Sequence, residues 1–397
     1  MREEWVAFMP AGTWQKKSIL IAQDLGYKVI GIDSDPGAEG LLVSDDSLLL
    51  TDLDSLSIVS ALKSKDLQII GALSIASDVG IIPCSEIRES FQLPGILPQE
   101  AELFTYKHLQ RERWLTDRIP GPKWFSVARN DDYSSKLMSL EFPLIVKPSD
   151  SSGSRGVAKV KDLKELNFAL DEAFNFSRLG IAIVEEFMSG TEFTVEVFYS
   201  NFECHIIMIT QKIKVPGTDD TVAKELFTPI LESELELKIS ETVKSAFNSL
   251  NYRSGPGHAE IILKEDGQVG MVEVAARGGG FLIFDEMIPR SSGIDINRLT
   301  IESELGKDTK MQKRENNKSI LRFIESRKGV VQSISIPLAV DLPAGLLIRP
   351  LVSVGQILRD PISDGDRMCA ILATSHHLEG AQELVSWAVE NIEIVVK

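Results

Sequence analysis

Short apolar runs alternate with segments of helical period over residues 5–75. Trp5 to Met9 reads as a strand, Lys16 to Leu25 as a helix stopping at Gly26, and Lys28 to Asp33 as the next strand. The acidic stretch Asp33-Ser34-Asp35-Pro36-Gly37 has the composition of a turn. Asp45 to Thr51, a helix around Asp54 to Ser64, and the apolar strand Ile69 to Ile75 continue the alternation. Alternation of this kind predicts an α/β fold with a doubly wound parallel sheet. The loop Pro10-Ala11-Gly12-Thr13-Trp14 holds one glycine rather than G-x-G-x-x-G, which argues against a nicotinamide cofactor.

The rhythm then changes. A helical stretch around Thr105 to Thr116 carries Lys107 and is broken by Ile119-Pro120-Gly121-Pro122. Phe142 to Pro148 is an apolar strand ending in Lys147, followed by the polar loop Ser149 to Gly156 and a strand over 157–161. Ile181 to Phe187 reads as a strand, Ser189-Gly190 as a turn, and Glu192 to Tyr199 as a return strand. Leu235, Ile239, Val243, Phe247 and Leu250 recur at helical spacing, so 232–250 is an amphipathic helix whose apolar stripe is core. The polar patch Asp308 to Ser319 suggests a linker. Beyond it, 320–397 reads as a small β-rich subdomain with one helix near Gly380 to Val389.

Composition narrows the function classes. With 43% hydrophobic and 25% charged residues, the 397-residue chain has the balance of a soluble globular protein of two or three domains. A net charge of -16 with no basic stripe disfavours a nucleic-acid partner. No apolar run reaches transmembrane length, so no membrane partner is expected. Met1-Arg2-Glu3-Glu4-Trp5 turns acidic too early for a signal peptide. Cys84, Cys204 and Cys369 are odd in number and scattered, and the five histidines form no H-E-x-x-H, which speaks against disulfides and zinc. A reducing cytoplasm is the expected location.

The densest chemistry lies in Gly257-His258-Ala259-Glu260-Ile261-Ile262-Leu263 and Val269 to Arg277, joined through Asp266-Gly267. An Asp-Gly pair between apolar strands predicts a two-residue hairpin turn. Counting back from Glu265 opposite Gln268 sets Glu260 opposite Glu273 on one face. Like charges facing across a ladder are destabilising, and a divalent cation held by hard oxygens would explain them. Arg277 shares the parity of Glu273. Lys147, costly to bury unpaired, is expected to meet an anion. The adjoining loop holds Gly153, Gly156 and Arg155, suited to close approach of backbone N–H groups to phosphate. No G-x-x-x-x-G-K-[ST] occurs, so the loop is not a P-loop.

Taken in order, Lys107, the Ile145-Val146-Lys147-Pro148 strand with its loop, Glu185-Glu186-Phe187-Met188, and the Glu260, Glu273, Arg277 cluster resemble the ATP-grasp superfamily. The resemblance implies an ATP-grasp fold. A preATP-grasp domain would occupy 1–104, the ATP-grasp domain 105–308 with a flap-bearing part at about 125–188, and a β-rich C-terminal lobe 309–397. It implies ATP and Mg2+, with Mn2+ as an alternative. Lys107 and Lys147 would neutralise phosphates, and Ser152, Gly153, Ser154, Arg155 and Gly156 would form the flap. Glu185, Glu186, Phe187 and Met188 would form the hinge at adenine, largely through backbone groups, and Glu192 would bind ribose. Glu260 and Glu273 would hold metal, and Arg277 would stabilise charge on the reacting acyl group. The resemblance departs at position 275, where many members carry a metal-binding asparagine and this chain has alanine. Glu273-Val274-Ala275-Ala276-Arg277 instead resembles amino-acid ligases that make dipeptides, which leaves the number of metal ions and the role of His258 open. The activity implied is an ATP-dependent carboxylate–amine ligase passing through an acyl phosphate. Its substrates would be small carboxylates and amines, with amino acids expected, and it would form a homodimer by default. A biotin-carboxylase-like or purine-pathway enzyme, and a non-catalytic ATP-binding module, are the alternatives. Specificity is expected in Lys212 to Lys224 and Gly278 to Ser292, and Arg290 reads as a surface arginine.

Overall fold

Four parallel strands, Glu4–Phe8, Lys28–Asp33, Asp46–Leu49 and Gln68–Leu73, form the first sheet in the order third, second, first, fourth. Successive residues of its central strands enter opposite cores. Val6, Phe8 and Val29 pack to one side with Ile19 and Ala22 of the helix Lys16–Asp24. Ala7, Ile30 and Ile32 pack to the other with Ile58 and Leu62 of Ser55–Ser64. Burial on both faces explains the near-continuous apolar runs and bears out the doubly wound reading. The computed structural model describes residues 3–51, 53–218, 222–312 and 315–397. Met1 and Arg2 of the N-terminal reading, 219–221 of the expected specificity loop and 313–314 of the polar patch lie outside the described residues.

A second, antiparallel sheet runs in the order Trp124–Ala128, Ile181–Glu186, Leu144–Pro148, Ala158–Val160, with the helix Leu163–Phe176 against its core. The third sheet has eight strands. Val269–Ala275, Gly255–Leu263, Thr191–Ser200, Glu203–Lys214 and Ala223–Phe227 lead into Lys318–Glu325, Arg367–Ser375 and Leu346–Pro350. The amphipathic helix Ser233–Ser249 buries Ile239, Val243 and Phe247 against it, as its spacing predicts.

Three expectations need correction. Glu192 to Tyr199 is not a return strand: Ile181–Glu186 pairs in the second sheet, whereas Thr191–Ser200 pairs with Glu203–Lys214 and Gly255–Leu263 in the third. The turn at Ser189-Gly190 therefore carries the chain from one sheet to another, and adjacency in sequence is not pairing. The strands after the polar patch are also not confined to a small sheet of their own. Lys318–Glu325 continues the third sheet through Ala223–Phe227. Only Gly329–Ser335, Ile357–Leu358 and Glu393–Val396 make a separate three-stranded sheet.

The third correction concerns the hairpin turn. Lys264, not Glu265, pairs with Gln268, donating its N–H to the Gln268 carbonyl at 2.9 Å, while its own carbonyl accepts the Gly267 N–H at 3.0 Å. Gly267 closes this longer turn at φ +76°, a left-handed position suited to glycine. The ladder regains the predicted register through an irregularity between Glu260 and Ile261, so that Glu260 still stands opposite Glu273. A bulge thus cancels the extra turn residue.

Candidate active site between two sheets

A cleft of about 390 Å³ opens between the second and third sheets, closed at one end by the loop after the first sheet's last strand. Every residue expected at the site lines it except Gly156 and Phe187. Gly156 (φ +72°) sits at the base of the glycine- and serine-rich loop, where a Cβ would stand 2.9 Å from the Phe176 and Pro148 side chains. Its part is to let the loop leave the sheet. Phe187 instead packs under the Lys159 ammonium, 3.6 Å from its ring centre.

The floor holds a buried charge cluster. Lys147 ends its strand with Nζ 2.5 Å from Glu185 Oε1, and Arg111 donates Nη2 to Glu185 Oε2 at 3.0 Å. The anion expected for Lys147 is thus a carboxylate of the chain itself. Burial alone would raise Glu185, but the Lys147 and Arg111 charges outweigh it and hold the carboxyl below its ordinary value. The hinge reading changes accordingly. Glu185 contributes its side chain to this cluster, and the N–H groups of Glu186 and Phe187 are committed to the carbonyls of Lys123 and Pro143 at 2.9 and 3.0 Å. Glu186 and Met188 remain on the cleft wall.

Across the cleft, alternation along the third sheet brings polar residues onto one face. One cross-strand row is Thr194, Glu260, Glu273; the next is Glu196, His258, Ala275. Each carboxylate has its own cation. Lys107 Nζ lies 3.1 Å from Glu273 and also donates to the Ser151 carbonyl at 2.7 Å. Lys212 binds Glu260 at 2.8 Å and pairs with Glu192, which Lys214 also reaches at 2.7 Å. Burial pushes Glu260 up, but Lys212 and His258 hold its carboxyl well below the ordinary range. His258 Nδ1 is 2.5 Å from the buried Glu196 carboxylate, and its Nε2 is 3.7 Å from Glu260. Burial lowers its basicity, yet Glu196 and Glu260 together raise it to about 9.

Arg277 follows on the same face. Its Nε and Nη2 meet Asp78 at 2.8 and 2.7 Å in a bidentate pair. Burial raises the Asp78 carboxyl, but Arg277 outweighs it and keeps it below its ordinary value. Above the cluster the glycine- and serine-rich loop takes left-handed conformations at Gly153 (φ +66°) and Ser154 (φ +60°). Ser154 Oγ reaches Asp364 at 3.2 Å, and Asp364 also accepts from Arg367 at 2.5 Å and from the Ala223 N–H at 3.0 Å.

Sequence reasoning missed Asp78, Arg111, Lys212, Asp364 and Arg367. Lys212 was named only as the start of a loop; it lies on the strand Glu203–Lys214. A signal existed there, since Lys212 and Lys214 alternate onto one face, but their partner Glu192 emerges only once the strands pair. Arg290 pairs with Glu286 at 3.2 Å within its own helical turn, outside the cleft.

The donor set fits a hard divalent cation. Glu260 and Glu273 present carboxylate oxygens on one face, with ammonium groups now balancing them. Among the described residues no three acidic, cysteine or histidine side chains are already gathered as a metal cage. Two carboxylates are a usual protein share of a magnesium site, which phosphate and water complete.

The ATP-grasp domain family matches residues 140–285. D-alanine–D-alanine ligase of Actinobacillus pleuropneumoniae is 28% identical over 41% of this chain, and alanine–anticapsin ligase of Bacillus subtilis 26% identical over 58%. The chain spans about half the length of these ligases, 54% and 53% respectively. The crystal structure of L-amino acid ligase from Bacillus licheniformis superposes with a TM-score of 0.82 at 20% identity, over 100% of both chains, which establishes the shared fold. No helix among the described residues is long and apolar enough to cross a membrane. Family match and architecture agree: residues 140–285 match the ATP-grasp domain family, and the chain as a whole shares the fold of that ligase structure.

Proposed function

We propose that this chain is an ATP-dependent carboxylate–amine ligase that makes an amide through an acyl phosphate and releases ADP and phosphate. The observation that carries the reading is the opposed pair Glu260 and Glu273 with Lys107, Lys147, Lys212 and Arg277 around one cleft. The ligases among its relatives support the C–N bond class. We assign the nucleotide-binding work to residues 105–308, with 1–104 and 309–397 closing the two ends.

Lys107 and Lys212 now balance carboxylates, and in the working complex they turn to phosphate oxygens. Lys147, fixed by Glu185, offers its remaining N–H groups to phosphate from the floor. Glu260 and Glu273 would hold magnesium, which when bound would supply neutralisation of phosphate charge during transfer. Arg277 binds the reacting carboxylate and the negative charge that develops on it. The loop Ser152 to Gly156 covers the phosphates and keeps water from the activated acyl group. The amine then displaces phosphate. A panel of amino acids tests this, with ADP, phosphate and amide quantified together. Amide formed in step with ADP supports the ligase, and bicarbonate-dependent turnover without an amine moves the assignment to a carboxylase.

A further inference from the structure

His258 has no task in the steps above, yet it is one of the most constrained side chains in the cleft. It is 7% exposed, and both ring nitrogens face carboxylates. Nδ1 is 2.5 Å from Glu196, a carboxylate only 1% exposed whose other oxygen accepts the Gly279 N–H at 3.0 Å. Glu196 is thereby fixed from two sides, and it fixes the plane of the ring. Nε2 is left facing Glu260 Oε1 at 3.7 Å.

That same oxygen, Glu260 Oε1, is the one Lys212 holds at 2.8 Å. A cationic group therefore already stands beside an oxygen that His258 addresses. A divalent ion replacing the ammonium at Oε1 would make bonds of about 2.1 Å to carboxylate oxygen and imidazole nitrogen. Two donors 3.7 Å apart can both be reached by one ion with such bonds. The cross-strand partner of His258 is Ala275, whose methyl group offers no donor and leaves the ring room. A buried carboxylate on one imidazole nitrogen, with the other aimed at an oxygen ligand, is the arrangement by which proteins orient a metal-binding histidine.

We propose that His258 Nε2 is a ligand to the divalent cation held by Glu260, releasing its proton to solvent as the ion takes the place of the Lys212 ammonium, with Glu196 on Nδ1 as its orienting partner. This rests on the ligase reading only for the presence of a metal–nucleotide complex. Its chemical consequence is a mixed nitrogen and oxygen site. Imidazole favours manganese over magnesium more than an all-oxygen shell does, so this chain selects Mn2+ more strongly than an oxygen-only site would.

The test uses the full chain with Mn2+ and a non-hydrolysable ATP analogue. Pulsed electron paramagnetic resonance on the wild-type complex is expected to show 14N coupling from one directly bound imidazole, lost on labelling histidine with 15N. His258→Gln is expected to abolish that coupling and to weaken Mn2+ binding about tenfold or more, and Glu196→Gln to weaken it by a similar factor. Adding Ala275→Asn to His258→Gln places a carboxamide oxygen beside the vacated position. It is expected to recover binding while shifting preference from Mn2+ toward Mg2+. A bound Mn2+–nucleotide complex without nitrogen coupling overturns the assignment and leaves the ligase reading standing. Failure to form any metal–nucleotide complex overturns both. Circular dichroism of each variant separates loss of the ligand from loss of the fold, and the wild-type spectrum needs no variant at all.

Discussion

Glu260 stands directly opposite Glu273, yet the two carboxylates are balanced by different lysines, Lys212 and Lys107. Repulsion between them is therefore not what dominates the nucleotide-free protein. From the like-charge pairing alone, removing one carboxylate would relieve strain. With the lysines in place the sign changes, because Glu260 is held charged well below its ordinary value.

Glu260→Gln and Glu273→Gln are both expected to lower ATP turnover on the order of a hundredfold or more, since each removes a carboxylate from the proposed metal site. Glu260→Gln is also expected to destabilise the nucleotide-free protein by at most about 1.5–3 kcal/mol, the usual worth of a hydrogen bond to a charged group. Lys212 keeps Glu192 as a partner, which limits the loss. Steady-state turnover at saturating magnesium and denaturant melts check the two effects separately. Near-native turnover for Glu273→Gln would remove it from the metal site.

The floor cluster predicts an asymmetry between its members. Lys147→Met leaves Glu185 still paired with Arg111, so stability falls modestly while ATP affinity falls about tenfold or more through loss of a charged contact. Glu185→Gln leaves two buried cations facing a neutral group. Breaking a buried pair in that sense costs about 3–5 kcal/mol. Chemical denaturation of both variants, with calorimetry of ATP binding for Lys147→Met, tests the order. Equal stability losses would mean Arg111 does not stay on Glu185.

Much of this site was legible because its elements are local. The helix Ser233–Ser249 and the strand Lys28–Asp33 follow from periodicity over their own length. The opposition of Glu260 and Glu273 survived a mistaken turn only because the bulge at Glu260 offset it. What sequence did not reveal is partnership over distance. Asp78 meets Arg277 across 199 positions, and Arg111 meets Glu185 across 74. Neither aspartate nor arginine stands in a local pattern that hints at its partner. Sheet membership is non-local too, which is why Glu192 to Tyr199 reads from sequence as the return of a hairpin, whereas the strand Thr191–Ser200 pairs in another sheet.

Asp285 predicts a pH dependence away from the cleft chemistry. It is 7% exposed, its Oδ1 has no hydrogen-bond partner among the described residues, and burial raises its carboxyl from 3.8 to about 6. Lys17 and Arg349 oppose that rise, Glu286 adds to it, and Asn297 opposes it through a hydrogen bond. The folded state therefore binds the proton more tightly than the unfolded chain. Its contribution is most favourable below about pH 3.8, declines as pH rises toward 6, and stays unfavourable above. The loss is on the order of 3 kcal/mol at most. Asp285→Asn is expected to raise stability at pH 7.5 and to have much less effect at pH 4. Melts at the two pH values decide it; an effect equal at both would mean Asp285 is not strained by its charge.

The final prediction concerns Arg277 and the class of reaction. Its planar fork is filled by Asp78 in a bidentate contact, which is the geometry a substrate carboxylate would also use. If the reacting acid takes that place, Arg277 acts on charge that develops during the chemical step, so its removal should lower kcat more than ATP affinity. Arg277→Lys keeps a positive charge but loses the fork, and Asp78 would be held by one contact in place of two. It is expected to remain impaired on the order of a hundredfold, with ATP binding within a few-fold of wild type. Hydroxylamine added with ATP and an accepted carboxylate is expected to trap a hydroxamate in the wild type and far less in Arg277→Lys. Release of ADP and phosphate in equal amounts with the amide fits an acyl phosphate. AMP and pyrophosphate would instead mean that the carboxylate is adenylated, and the role given to Arg277 would fall with the mechanism.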